Sequence, residues 1–173
     1  QQAKDFLRAL VENLKRASLY ERVIANQVGA GDTGEWVKGH GSMSAACSDY
    51  SQPMNEHFRD WLRREYQADE LAFQTAWGEP GITFDSAGVP PAERQHSTTL
   101  FTFRHPQRER SVIDYYRCLA ELSADLVIDF CATVKEATQG QALAGAFYGY
   151  LMELAWNSSF FGERGEVLNS QYA

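Results

Sequence analysis

The segment Gly29-Ala-Gly-Asp-Thr-Gly-Glu-Trp36 carries the most pointed chemistry in the chain. A short apolar run, Arg22–Gly29, precedes it and reads as a buried strand, which puts Glu35 just beyond a strand's carboxyl end. In a parallel α/β fold the loops at those ends collect the functional side chains. A carboxylate beside an aromatic ring suits acid catalysis there, because an apolar neighbour disfavours the charged form and raises the pKa towards neutrality. The same spacing also fits a solvent-exposed loop Glu beside a packed Trp. Gly29-x-Gly31-x-x-Gly34 has dinucleotide-loop spacing, but Val37-Lys-Gly-His-Gly41 follows where a helix would have to start, which argues against a phosphate cradle.

A second constellation is Phe147-Tyr-Gly-Tyr-Leu-Met-Glu-Leu154. Tyr148 and Tyr150 offer platforms for the apolar faces of sugars, and Glu153 is a second carboxylate on the same rim. The alternative leaves Phe147 and Leu151 in the core and the tyrosines without a special role. Asn26 and Gln27 lie within the first strand, where a buried amide must find a partner. That partner is either a sugar hydroxyl in a barrel lumen or a structural group. Asp49, Tyr50, Arg94, Arg104 and His105 are loop residues that could border a substrate and equally could be ordinary surface. His40, His57, His96 and His105 lack metal-ligand spacing, no Cys-x-x-Cys is present, and the nucleophile elbow Gly-x-Ser-x-Gly is absent, so no metal and no cofactor is expected.

The elements that must position these residues alternate in kind. Residues 3–18 form an amphipathic helix with Phe6, Leu7, Leu10, Val11 and Leu14 on one face. The first strand and its Gly-rich loop follow. Residues 39–107 read as an inserted loop-helix subdomain. Within it, Ser51 and Pro53 start a helix striped by Phe58, Trp61, Leu62, Glu65 and Tyr66, and Asp69–Trp77 forms a second helix closed by Gly78. Residues 78–107 carry Pro80, Pro90, Pro91 and Pro106 and read as irregular, with at most a short strand at 99–103. A long helix over 108–138 ends at Gly140, and Leu143–Leu151 reads as a second buried strand. The whole chain, 1–173, is thus expected to be one partial (β/α) TIM-barrel-like α/β domain.

Composition narrows the partners. The 173 residues are 44% hydrophobic and 13% aromatic, enough for a sizeable core. A net charge of −7 offers no basic stripe to nucleic acid. No apolar run reaches the roughly 20 residues that span a bilayer. The first residues lack signal-peptide character, and the chain opens at Gln1 inside a helical pattern, as a processed or excised segment would. Cys118 and Cys131 share one predicted helix about 20 Å apart, too far to pair, and with Cys47 they fit a cytoplasmic protein.

Three groups of residues resemble glycoside hydrolase family 42 β-galactosidases. They are Arg22–Trp36; the stretch Asp49-Tyr-Ser-Gln-Pro53, Phe58-Arg-Asp-Trp-Leu-Arg-Arg-Glu-Tyr66 and Ala76-Trp-Gly78; and Val112-Ile-Asp-Tyr-Tyr-Arg117 with Ala144–Leu151. The Phe-Arg-x-Trp-Leu segment is the most specific part, and the likeness runs to about residue 162. Such enzymes are retaining glycosidases with the acid/base after barrel strand four and the nucleophile after strand seven. The resemblance implies that Arg22–Gly29 is strand four, Leu143–Tyr150 strand five, and Glu35 the acid/base. Gly34 stands where the family carries an Asn that binds the sugar 2-hydroxyl, and Asn26 is a candidate substitute.

The implied function is hydrolysis of β-galactosides or β-glucosides, with Glu35 and Glu153 as carboxylates and Asn26, Gln27, Trp36, Tyr148 and Tyr150 binding the carbohydrate. A barrel of eight strands takes about 250 residues, so two strands need others beside them, and a homo-oligomer is expected to supply them. Adjacent strand ends do not oppose each other across a sugar ring, whereas a retaining pair sits about 5–5.5 Å apart. That leaves as alternatives an inactive remnant of a glycosidase that binds sugar, or a structural module with no sugar chemistry.

Overall fold

Helix boundaries follow from capping chemistry wherever the chain supplies it. In the computed structural model the described residues are 1–29, 36, 49–96, 99–100 and 104–147. Among them, α1 spans Gln2–Arg16, β1 Ala25–Gln27, α2 Gln52–Glu65, α3 Glu70–Trp77, α4 Ala92–His96, α5 Arg110–Ala137 and β2 Leu143–Gly145. The Ser51 hydroxyl accepts from the Met54 N–H, with Pro53 in the first turn. Asp69 does the same for Ala72 N–H, and Gly78 closes α3 in the left-handed conformation. No helix among the described residues is long and apolar enough to cross a membrane.

The residues separate into two compact units. Among the described residues, one combines 1–29 and 36 with 121–147, and the other holds 49–96, 99–100 and 104–120. The expected insertion, 39–107, thus ends earlier than this second unit, which also takes the first part of α5, to Ala120.

In the first unit β1 and β2 pair in parallel, with Ala25 opposite Leu143, Asn26 opposite Ala144 and Gln27 opposite Gly145. The Leu143 N–H donates to Ile24 O (3.0 Å) and the Val28 N–H to Gly145 O (2.8 Å), extending the ladder at both ends. Val11, Tyr20 and Ala142 form a small core against which Leu14, Val23 and Ala137 pack. Lys4–Asp129 (2.9 Å) and Arg8–Glu136 (3.2 Å) tie α1 to the end of α5, at exposed positions that contribute little. Only Val11 of the expected α1 face is fully buried, and Phe6 remains 66% exposed.

Over the described residues the expectation of two buried strands is corrected, while residues 148–151 of the second run lie outside them. Each strand is three residues long, and Ile24 and Leu143 flanking or within them are 81% and 63% exposed. Burial of a parallel strand requires layers on both faces, and among the described residues this pair lacks them.

In the second unit an aromatic cluster makes the core. Phe58, Phe73 and Tyr115 are fully buried. Phe58 meets Tyr115 edge-on at 5.4 Å, and Phe73 stacks on Phe84 at 4.8 Å and meets Trp77 at 4.7 Å. The stretch expected to be irregular contains α4, which begins directly after Pro90-Pro91, with the Gln95 N–H bonded to Pro91 O. Five residues are too few to show a periodic pattern. Residues 83–89 are held on α2: Arg59 Nε donates to Ala87 O (2.7 Å), and Asn55 Oδ1 accepts from the Val89 N–H (2.9 Å).

Gly88 has a steric reason to be glycine. A Cβ there would stand 2.9 Å from Asn55 Oδ1, an atom fixed by the bond to Val89. Gly88→Ala is expected to lower stability by about 1–3 kcal/mol, read by urea denaturation, with a smaller loss when Asn55→Ala is already present.

Candidate functional site

The carboxyl end of the parallel pair is where a site built on this sheet would lie. Strand β1 leads into Val28, which is buried, and β2 into Ala146 and Phe147, the latter 59% exposed. Trp36 returns to this end. Its indole N–H donates to Val28 O at 3.0 Å, and its ring lies 5.7 Å from the Phe130 ring of α5, tilted by 44°. Its φ of 58° is left-handed, a conformation that costs a bulky residue about 1–2 kcal/mol. Such strain persists where surroundings over-determine it, and it gathers at functional sites.

Asn26 and Gln27 are brought to the sheet but not to one side of it. Successive strand residues face opposite ways. Asn26 is half-buried and its Nδ2 donates to the Tyr20 hydroxyl at 3.0 Å, a structural partner, while Gln27 is exposed. Glu35, Glu153, Tyr148 and Tyr150 lie outside the described residues, as does Cys47. Trp36, the residue bonded to Glu35 in the chain, is therefore the described marker of that loop.

A cleft of about 380 Å³ opens at the other end, lined by Lys15, Ser18, Tyr20, Glu21, Val23 and Gln141. Val23 and Gln141 precede β1 and β2, so this is the amino end, which in barrel enzymes serves stability rather than chemistry. Its cation is already engaged: Lys15 Nζ donates to Ala137 O (2.8 Å) and lies 5.8 Å from the Tyr20 ring centre.

Several sequence-selected polar residues turn out to serve the second unit. Arg104 is buried, not surface: it donates to Gln95 O and lies over the Tyr116 ring at 5.3 Å, and burial lowers its pKa. Arg94 is exposed and pairs with Glu79 at 2.8 Å. The His105 N–H donates to the buried Glu109. Asp49 accepts from the Ser51 N–H (2.8 Å), which holds its carboxyl below the usual range. Cys118 is buried, Cys131 half-buried, and both are free thiols. Among the described residues no group of three or more His, Cys, Asp or Glu could hold a metal ion.

Sequence reasoning missed Asp114. It is wholly buried and accepts three hydrogen bonds: from Tyr66 Oη (2.6 Å), Trp77 Nε1 (2.9 Å) and Arg110 Nε (2.8 Å). Burial works against the Arg110 charge, but the charges of Asp114 and Tyr66 outweigh it and raise its pKa. Glu65, expected on the apolar stripe, instead accepts from Arg117, whose pKa rises with that bond. A carboxylate inside the periodic run Val112–Tyr116 was the available signal. All three of its hydrogen bonds go to its own fold and the side chain is wholly buried, so this cluster holds the unit together.

No protein-family model, no curated protein and no solved structure matches this chain.

Burial, then the bond to and charge of Asp114, hold the Tyr66 phenol above its ordinary range. A raised native pKa stabilises the fold below the unfolded phenol's value, about 10, and the benefit is lost as pH rises through the native value. Stability in urea is expected to fall above about pH 10, and Tyr66→Phe to flatten part of that fall while lowering stability at neutral pH. An identical slope in the variant would place the titration elsewhere. Asp114→Ala is expected to cost about 3–5 kcal/mol, because the Arg110 charge loses its buried partner.

Proposed function

We propose that the chain supplies the acid/base part of a retaining β-glycosidase site, acting on β-galactosides or β-glucosides through Glu35. The supporting observation is Trp36, fixed to the carboxyl end of a parallel strand in a strained conformation and adjacent in sequence to Glu35. An apolar neighbour keeps a carboxyl protonated near neutral pH, which is what protonating a glycosidic oxygen requires. In the second half-reaction the same carboxylate takes a proton from water. One carboxylate is half of a retaining mechanism, and adjacent strand ends do not oppose each other across a sugar ring, so the nucleophile is a carboxylate supplied by another copy, such as its Glu153.

A second reading is favoured by the exposure of the sheet. With Ile24, Leu143 and Phe147 open to solvent, the two strands by themselves form no lumen, and the chain then binds sugar without cleaving it. Purified chain is expected to hydrolyse aryl β-galactosides or β-glucosides at a rate that rises with oligomer concentration, and Glu35→Gln to lose about two to four orders of magnitude. Equal turnover by Glu35→Gln would refute the acid/base assignment. No turnover by the parent, together with a higher Tm in galactose or glucose, would favour the binding module.

A further inference from the structure

We propose that Phe130, on α5, is a positioning residue: it locks Trp36 at the carboxyl end of the sheet and thereby sets the affinity of that end for a pyranose ring. The pyranose part rests on the functional reading above. The locking rests on geometry alone.

Trp36 is fixed at two points. One is the Val28 carbonyl, 3.0 Å from the indole nitrogen. That carbonyl belongs to a residue whose own N–H is bonded across the sheet to Gly145 O at 2.8 Å, so it is a rigid anchor that no side-chain substitution removes. The other is the Phe130 ring, 5.7 Å away. Both rings are half-buried, and Phe130 sits on the part of α5 that belongs to the same unit as the sheet. A left-handed φ at a tryptophan is unfavourable by itself, and one hydrogen bond leaves the indole free to swing about it. The aromatic contact removes that freedom. A pre-ordered indole presents a flat apolar surface without a further ordering cost when a sugar's C–H face stacks on it.

The test uses uniformly ¹⁵N-labelled full chain, with the Trp36 indole resonance identified as the one missing from Trp36→Phe. Parent, Phe130→Ala, Phe130→Leu and Phe130→Tyr are compared for deuterium exchange of that N–H, and each is titrated with galactose and with glucose. An aromatic pair is on the scale of about tenfold in an equilibrium constant. Phe130→Ala is expected to exchange about tenfold faster and to bind sugar about tenfold more weakly, and Phe130→Tyr to match the parent in both. Should the Ala variant unfold by circular dichroism, Phe130→Leu, which keeps apolar volume without a ring, is expected to show the same two losses at smaller size.

Unchanged exchange in the ring-less variants overturns the locking. Faster exchange with unchanged affinity, or a parent whose Trp36 resonance no sugar moves, overturns the role in binding. The glycosidase reading fails separately, by absence of turnover in a parent whose Trp36 resonance does respond to sugar.

Discussion

Everything in the first unit depends on the parallel pairing of β1 with β2. Ala25 and Leu143 are neighbours in the sheet, although α2, α3, α4 and the whole of α5 lie between them in the chain. A parallel pair requires a crossover connection, and the entropy of closing a loop grows only slowly with its length. A long insertion is therefore tolerated provided that its ends are fixed. The return end is fixed by a sharp stop on α5: Gln139 and Gly140 both take positive φ, the Gly140 N–H bonds to Lys135 O, and Lys135 Nζ reaches forward to Ala142 O. The chain then enters β2 at once, with the Leu143 N–H on Ile24 O.

The second unit has a different anchor, and it accounts for the aromatic spacing of its helices. Phe58, Trp61, Tyr66, Trp77, Tyr115 and Arg117 are bound together as an aromatic core around one buried carboxylate, with Arg117 over the Trp61 ring at 5.4 Å. Burying that carboxylate is tolerated because three donors replace its water. A pattern so specific in spacing thus reports packing and polar satisfaction. These residues are therefore accounted for by the packing of this unit, without any chemistry.

How much was legible in the sequence follows from which signals are local. The starts of α2 and α3 and the ends of α3 and α5 were readable because Ser51, Pro53, Asp69, Gly78 and Gly140 act within one turn of where they stand. Strand length and burial were not, since an apolar run such as Arg22–Gly29 is buried only when something covers it. The fate of Arg104 was equally hidden: a loop arginine between prolines gives no hint that Gln95 and Tyr116 will enclose it. For Asn26 the sequence left a sugar or a structural partner open, and Tyr20, six residues back, is the partner found.

The two ends of the sheet differ in how their polar and aromatic groups are used, and that contrast favours the carboxyl end as the seat of function. At the amino end the cleft's cation is bound to Ala137 O and lies near the Tyr20 ring, so its capacity is spent on the unit's own core. At the carboxyl end a tryptophan is held, against its backbone preference, by a strand carbonyl and a helix side chain. Ser18, Gln67, Ala68 and Gln139 take the same left-handed φ just after helix ends, whereas Trp36 follows no described helix and is a bulky residue with its ring held from two sides. Holding one orientation at a cost makes sense where direction matters, and that is the physical ground on which the proposed role of this end rests.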